Sequence, residues 1–226
     1  MLNTIYNWFF KKNYAYIKID EYGSKKYYNA KNKLHREDGP AIEYADGDKF
    51  WYINSKLHRE DGPAVEYATG NKHWYLNDKL HREDGPAIEY INGNKCWYLN
   101  GKRHREDGPA IEDASGDKWW YLNDELHRGE YVNGIKCWLL NGKRHREDGP
   151  ALECPNGDKE WYLNGKFHRE DGPAWDYVNG LKCWYINDKL HREDGPAIEW
   201  ADGDKYWYLN NRLVTEEGVR KLGKMK

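Results

Sequence analysis

A segment of 23 residues repeats along this chain, and that period constrains the fold more than any other feature of the sequence. One copy, HREDGPAIEYADGDKFWYINSKL, runs from His35 to Leu57. The His-Arg pair that opens each copy recurs at His35, His58, His81, His104, His127, His145, His168 and His191. The spacing is 23 residues throughout, except for 18 residues between His127 and His145. We number the eight repeats from these histidines and expect neighbouring repeats to stack on one another.

Two turn signals in each repeat predict β-hairpins. The first is Asp46-Gly47 in repeat 1, and the second is Asn100-Gly101 in repeat 3 or Asn164-Gly165 in repeat 6. Both central residues of a type I′ turn need a positive φ, which Asn, Asp and Gly tolerate best. Treating Asp46-Gly47 as a two-residue turn predicts that Ile42 pairs with Trp51 and that Glu43 pairs with Phe50. Because side chains alternate across a sheet, one face should carry Ile42, Tyr44, Lys49, Trp51 and Ile53, and the other Glu43, Phe50 and Tyr52.

The composition indicates a folded chain that packs with aromatic side chains. Mean hydropathy is −1.14, a value that would suggest disorder. However, the chain has 12 Trp and 19 Tyr, and its 36 basic residues nearly balance its 38 acidic ones. A net charge of −2 gives no general attraction to nucleic acid or to anionic membranes.

One Trp stands at the same position in every repeat and is predicted to form the structural core. A single hairpin cannot bury its own apolar face, so a row of indoles favours packing between neighbours over a ligand platform. The predicted core residues are Trp51, Trp74, Trp97, Trp120, Trp138, Trp161, Trp184 and Trp207.

The position just before the core Trp changes chemistry from repeat to repeat. It should point to the face opposite the Trp, where repeat proteins place their specificity. We take it as the candidate partner-binding face, with drift at an exposed site as the alternative. Its residues are Phe50, His73, Cys96, Trp119, Cys137, Glu160, Cys183 and Tyr206.

The HREDGP segment combines side chains that resemble acid–base or metal chemistry, but its repetition favours a structural role. A catalytic constellation occurs once, and the chain has no unique nucleophile or Gly-rich phosphate loop before a helix. The four cysteines, Cys96, Cys137, Cys154 and Cys183, lack CxxC or zinc-ligand spacing. We therefore expect no catalytic residues, metal site, cofactor or disulfide, and a cytoplasmic protein without a transmembrane segment.

The fifth repeat and the chain ends depart from the pattern. Repeat 5 reads His127-Arg128-Gly129-Glu130-Tyr131 and lacks five residues, so we expect EDGPA to form an excursion beside the strands. Residues 1–34 are predicted to be an N-terminal cap with a degenerate half-repeat, 35–213 the array, and 214–226 a C-terminal cap with a basic tail. We expect no helix outside the first ten residues and this tail.

The repeat resembles the MORN family, in the segment from Asp202 to Asn210 and in Asn164-Gly165-Lys166 leading to His168. The resemblance covers His35 to Leu213, although Arg replaces the family's Gly after His and EDGP is an insertion. HREDGPA-type variants of these units occur in phages, giant viruses and some bacteria. The resemblance implies an all-β fold, an elongated antiparallel β-meander of stacked hairpin repeats, and scaffolding or protein binding.

These observations lead to one functional hypothesis and its alternatives. The chain is expected to be a non-enzymatic scaffold that binds a protein partner, and in a phage or mobile element it would inhibit a host defence complex. The alternatives are nucleic-acid or acidic-lipid binding through rows of Lys and aromatic residues, and an antitoxin-like binder. An acidic residue at the strand position of Glu43 in every repeat argues against a purely basic face.

Overall fold

The computed structural model describes residues 14–223, which contain thirty short strands and one helix, α1 (Glu216–Gly223). The chain divides into two compact units between Ala114 and Ser115. The predicted all-β fold of antiparallel hairpin repeats is confirmed within each unit. The expectation of a helix in the first ten residues lies outside the described residues.

The N-terminal unit is an antiparallel meander with small hairpins at its side. Nine of its strands, β1, β2, β3, β4, β7, β8, β11, β12 and β15, pair in that order over residues 14–114. The others pair as β5 with β6, β9 with β10 and β13 with β14. The strand bounds are β1 (Tyr16–Ile19), β2 (Lys25–Tyr28), β3 (Ile42–Glu43), β4 (Lys49–Phe50), β5 (Tyr52–Ile53), β6 (Lys56–Leu57), β7 (Val65–Glu66), β8 (Lys72–His73), β9 (Tyr75–Leu76), β10 (Lys79–Leu80), β11 (Ile88–Glu89), β12 (Lys95–Cys96), β13 (Tyr98–Leu99), β14 (Lys102–Arg103) and β15 (Ile111–Glu112).

The C-terminal unit follows the same plan. Strands β16, β17, β18, β20, β21, β24, β25, β28 and β29 pair in that order, and β22 with β23 and β26 with β27 form side hairpins. Strands β18 and β29 are longer and also pair with β19 and β30. The bounds are β16 (Lys118–Leu122), β17 (Glu125–Glu130), β18 (Lys136–Leu140), β19 (Lys143–Arg144), β20 (Leu152–Glu153), β21 (Lys159–Glu160), β22 (Tyr162–Leu163), β23 (Lys166–Phe167), β24 (Trp175–Asp176), β25 (Lys182–Cys183), β26 (Tyr185–Ile186), β27 (Lys189–Leu190), β28 (Ile198–Glu199), β29 (Lys205–Leu209) and β30 (Arg212–Val214).

The second turn signal forms the predicted tight hairpin. In repeat 1, Asn54 and Ser55 have φ values of 52° and 65°, and in repeat 3 Asn100 and Gly101 have 53° and 85°. Two successive positive φ values are the mark of a type I′ turn. This turn closes the side hairpins.

The register predicted for the first turn is wrong by one residue. The amide of Gly47 donates to the Tyr44 carbonyl, and the amide of Tyr44 donates to the Asp48 carbonyl, so the loop has three residues. Ile42 therefore pairs with Phe50, and Glu43 pairs with Lys49. A shift of one residue moves side chains to the other face. Ile42 and Phe50 thus lie on one face, and Glu43 lies with Lys49 on the other.

The most deeply buried residues are small and aliphatic. The Ala of each DGPA segment has no exposed surface, and Ile42, Val65 and Ile88 beside it are buried. The carbonyl of each Ala accepts a hydrogen bond from the backbone amide of the core aromatic residue before it, as Ala64 does from the Trp51 amide of the preceding repeat. Each core Trp is half-buried and stands where the meander strand ends and the side hairpin begins.

Repeat 5 confirms that EDGPA is an excursion beside the strands. Its strand β17 is continuous through His127 and Arg128 to Glu130, with a register shift opposite Trp120 and Tyr121, and Gly129 pairs with Trp119 on one side and Cys137 on the other. Gly129 therefore occupies the position that Ile42 has in repeat 1. A Cβ atom there would lie 3.3 Å from the Cys137 sulfur and 3.4 Å from the Tyr131 ring. Because Gly129 has no side chain, the Cys137 and Tyr131 side chains fit beside it.

Both ends of the described chain modify the pattern. Tyr27 takes the place of a core Trp, because its amide donates to Ala41 and its carbonyl accepts from His35. At the other end, Thr215 caps helix α1 by accepting a hydrogen bond from the Gly218 amide, and Val219 is buried. No helix among residues 14–223 has the length and apolar character needed to cross a bilayer.

The packing around Gly129 predicts the effect of restoring a large side chain. Gly129→Ile should lower the free energy of unfolding by about 1–3 kcal/mol, because the new atoms overpack the site. Urea denaturation followed by Trp fluorescence measures this. Adding Trp119→Ala, which removes the residue paired with Gly129, should recover part of the loss. Strictly additive effects of the two substitutions would contradict this account.

Candidate functional site

The Arg of each HREDG segment is the centre of a repeated cluster. In repeat 3, the Arg82 guanidinium lies 4.2 Å from the centroid of the Trp74 ring, in the preceding repeat. Its Nε donates to Asp84 at 2.9 Å, and its Nη1 donates to the Pro86 carbonyl at 3.3 Å and to Glu89 at 2.9 Å. The planar guanidinium can stack on an aromatic ring and hold several acceptors at once, which Lys cannot do. One side chain thus ties two repeats together.

The cluster recurs with small variations. Seven of the eight core Trp residues lie under an Arg, at 3.9–4.3 Å from ring centroid to guanidinium carbon. The glycine of HREDGP leaves room for the Arg guanidinium beside the loop backbone, because a Cβ atom on Gly85 would lie 2.9 Å from the Arg82 guanidinium carbon. Trp207 has no following HREDG segment, and lines a recess together with Val219 and Arg220 of helix α1.

The histidine of each segment also has structural contacts. His81 Nδ1 accepts a hydrogen bond from the Asn100 amide at 3.1 Å, which places the proton of a neutral ring on Nε2. That Nε2 lies 3.7 Å from the Glu83 carboxylate. In repeat 3, the His, Arg, Glu and Asp that resembled an acid–base group are therefore engaged with one another and with the backbone. His58 Nδ1 and His127 Nε2 are exceptions, since both are buried with no hydrogen-bond partner among the described residues.

The Glu and Asp side chains of HREDG remain open to solvent. In repeats 2–4 these carboxylates are 84–86% exposed, whereas the Arg side chains of the same HREDG segments are 22–23% exposed. The hydrogen bond from Arg82 lowers the pKa of Asp84, and Asp61 and Asp107 have the same shift from their own Arg neighbours. We call the surface formed by the HREDG loops of successive repeats the loop edge. In repeats 2–4 it presents fixed negative charge.

Within each unit, the predicted partner-binding residues lie in a row on one sheet face, which in the N-terminal unit also carries Ile42. Phe50 packs edge to face against Tyr44 and Tyr67, and His73 does so against Tyr67 and Tyr90. Trp119 packs against Tyr131. Phe50, His73, Cys96, Trp119, Cys137 and Glu160 are half-buried, and Tyr206 is 41% exposed. Cys183 is only 3% exposed, so its thiol does not contribute to a contact surface.

One member of these rows anchors a network that sequence reasoning did not find. Glu160 accepts hydrogen bonds from the hydroxyls of Tyr162 at 2.8 Å and Tyr177 at 2.6 Å, and Arg144 lies 3.4 Å away. Burial, followed by the hydrogen bond to Glu160, raises the pKa of both tyrosines. The one sequence signal for this network is that Glu160 is the only carboxylate at the position before the core Trp.

The row of lysines is matched by glutamates. Lys49 pairs across the sheet with Glu43 on one side and Glu66 on the other, and Lys95 pairs in the same way with Glu89 and Glu112. Opposite charges at directly facing positions attract each other. The glutamates also pair with the Arg of their own repeat, as Glu89 does with Arg82. This arrangement weakens the alternative of a basic face for nucleic acid or acidic lipid.

The cysteines and carboxylates do not suggest a metal centre. All four cysteines are free thiols. Among residues 14–223, no three His, Cys, Asp or Glu side chains are grouped so that they could hold a metal ion. Burial raises the pKa of the Cys183 thiol to about 11, and it also raises those of Cys96 and Cys154.

The comparisons with known proteins add no relatives. No protein-family model matches the sequence, and no curated protein matches it significantly. The MORN-like identity therefore stays a prediction, with which the repeated hairpins are compatible.

The Arg cluster predicts a large effect for a conservative substitution. Arg82→Lys should lower the free energy of unfolding by about 1–3 kcal/mol, because Lys cannot stack on Trp74 and hold Asp84 and Glu89 together. Arg212→Lys is the control, since Arg212 is exposed and repeats 1 to 3 have Lys at its position. Urea denaturation compares the two, and equal effects would contradict the proposed role of the cluster.

Burial of Cys183 predicts slow alkylation. In a variant whose other cysteines are Ser, the Cys183 thiol should be almost entirely protonated at pH 8 and should react slowly with iodoacetamide until the chain is unfolded in guanidinium. A variant that keeps only the half-buried Cys137 provides the comparison. Mass spectrometry follows the reaction, and equal rates for native and unfolded Cys183 would refute its burial.

Proposed function

We propose that this chain is a non-enzymatic repeat scaffold that binds a protein partner. The observation that carries the proposal is the structural use of the HREDG Arg and Asp: they hold each other, the Arg also holds the strand Glu seven residues on, and it stacks on the Trp of the neighbouring repeat. The side chains that offered the best case for catalysis thus serve the fold. What each repeat adds is a surface of fixed geometry, and repeat arrays typically use such surfaces to bind other macromolecules.

A protein partner fits the charges better than a nucleic acid or an acidic lipid does. Binding to phosphates needs exposed Lys or Arg side chains that neutralise the phosphates and displace their condensed counterions. Here the lysines of the sheet face glutamates on both neighbouring strands. The open charges of the loop edge are carboxylates. Both features disfavour polyanions and support a partner that contributes cationic and apolar side chains.

The rows of predicted partner-binding residues, one in each unit, are part of this proposal as the surfaces that distinguish one partner from another. The exposed member in the C-terminal unit is Tyr206, and aromatic side chains of this kind often dominate binding energy at interfaces. The more buried members shape the face and set its chemistry from repeat to repeat. Cys183 is left out because of its burial.

The experiment is affinity capture from the source cells with the full chain, followed by reconstitution of the complex from the purified partner and measurement of its mass by light scattering. We expect a defined complex whose affinity falls at least fivefold with Tyr206→Ala. Tyr22→Ala, at an exposed residue in the turn between β1 and β2, should leave the affinity unchanged. Failure to reconstitute any protein complex, or firm retention on heparin at moderate salt, would overturn the proposal.

We also propose a setting for this function, in which the chain is a phage or mobile-element factor and its partner is a host defence complex. Support comes only from the resemblance to HREDGPA-type repeats. Expression of the chain in a host that carries the defence system should restore phage plating. Unchanged plating with a soluble, reconstituting protein would remove this setting while leaving the scaffold function intact.

A further inference from the structure

The strongest unassigned feature is a series of equivalent grooves between successive HREDG loops. In the N-terminal unit, three of them follow one another, between repeats 1 and 2, 2 and 3, and 3 and 4. The first is lined by Trp51 and Ile53, with Glu37 and Asp38 on one wall and Glu60 and Asp61 on the other. We call these three recesses the loop grooves.

Each loop groove combines apolar surface with carboxylates. The core Trp and the residue two positions later contribute the apolar part: Trp51 with Ile53, Trp74 with Leu76, and Trp97 with Leu99. The Glu and Asp of the two adjoining loops contribute the charge. A Lys or Arg side chain matches this combination, because its methylene stem favours apolar surface while its head group needs an anion.

The charge of the grooves is not cancelled by their own arginines. Each Arg is turned inward over the Trp of the preceding repeat and is 22–23% exposed in repeats 2–4. The carboxylates beside it are 84–86% exposed. Each of these Asp residues accepts from its Arg through one oxygen, Oδ1. The cation is thus covered and the anions face outward, where a cation on a partner can reach them.

The spacing of the grooves also selects the shape of the occupant. Each repeat adds two strands to the meander, so neighbouring grooves should be separated by about 9.5 Å. An extended polyproline II segment advances by about 9.3 Å in three residues and returns each third side chain to the same side. A basic residue at every third position would therefore meet one groove after another.

We propose that the loop grooves bind an extended, basic segment of a protein partner, with one Lys or Arg side chain in each groove. This inference rests on the proposed scaffold function and specifies the partner's chemistry. It places the contact on the loop edge, a different surface from the row that begins with Phe50. The charge complementarity and the matching three-residue period together favour this occupant over a polyanion or a purely apolar one.

Two labelled peptides of identical composition test the period. One is (Lys-Pro-Pro)₃, and the other has its three Lys adjacent, followed by six Pro. Fluorescence anisotropy with the full chain at 50 mM salt should show at least fivefold tighter binding of the evenly spaced peptide. Raising the salt to 200 mM should weaken that binding, since exposed charges are screened. Equal affinity for both peptides, or no binding of either, would overturn the inference.

Matched variants locate the contact. Glu60→Gln, Glu83→Gln and Glu106→Gln together remove one exposed carboxylate from each of three successive loops, and should weaken binding of the evenly spaced peptide about tenfold. The control combines Glu21→Gln, Asp46→Asn and Asp78→Asn, which removes the same charge outside the loop grooves. Asn92 and Asn211 at equivalent positions already make the hydrogen bonds of Asp46 and Asp78, so the control should fold. Equal effects of the two triple variants would refute the assignment.

The failure of this inference and the failure of the scaffold function are distinguishable. Hydrogen exchange on a reconstituted complex should show protection of the loop edge. Protection confined to the rows of predicted partner-binding residues would overturn the loop grooves and leave the scaffold function standing. Binding of the evenly spaced peptide without any reconstituted protein complex would support the loop grooves and overturn the scaffold function.

Discussion

The structure depends on one interaction, the stacking of the Arg of each repeat on the aromatic ring before it. For Arg36 this ring is Tyr27, and for the other repeats it is the core Trp of the preceding repeat. A meander of short strands has little aliphatic core, and its buried aliphatic side chains are mostly alanines, with one Ile or Val in each of the first three repeats. The Arg–Trp contact provides the missing link between repeats. In a full repeat the Asp, the strand Glu and the Pro carbonyl hold Nε and Nη1 of the guanidinium, so a charged group can be largely covered while it keeps hydrogen-bond partners.

Repeat 5 separates what the strands need from what the loop adds. Without EDGPA, strand β17 still pairs on both sides, and Arg128 still lies over Trp120, 4.3 Å away, while Trp138 is 5.4 Å away. The loop is therefore dispensable for pairing and for stacking of the Arg. In the full repeats the loop adds the Asp and the Pro carbonyl that hold the guanidinium, and without them Arg128 Nε is buried with no hydrogen-bond partner among the described residues. The loop also adds the exposed Glu and Asp that form the walls of the loop grooves and are accessible for recognition.

Much of the fold followed from the sequence, because its signals are local. The period of 23 residues, the tight turn at Asn100-Gly101 and the excursion of EDGPA could all be read from turn chemistry and spacing. The register of the first turn could not. Asp46-Gly47 is compatible with loops of two or three residues, and the three-residue loop puts Ile42 opposite Phe50. Because the side-chain period of a strand is two, the one-residue difference in loop length decided which side chains share a face.

The sequence by itself determined that the chain is an array of hairpins and that HREDG belongs to every full unit. Only the tertiary structure decided what those residues do. The partner of each Arg is a Trp in the preceding repeat, and the degree of burial at Phe50, His73 or Cys183 depends on side chains from adjoining strands. Such contacts are set by stacking between repeats, which no pattern within one repeat specifies. The network around Glu160 and the loop grooves arise for the same physical reason, since both are built from residues of two neighbouring repeats.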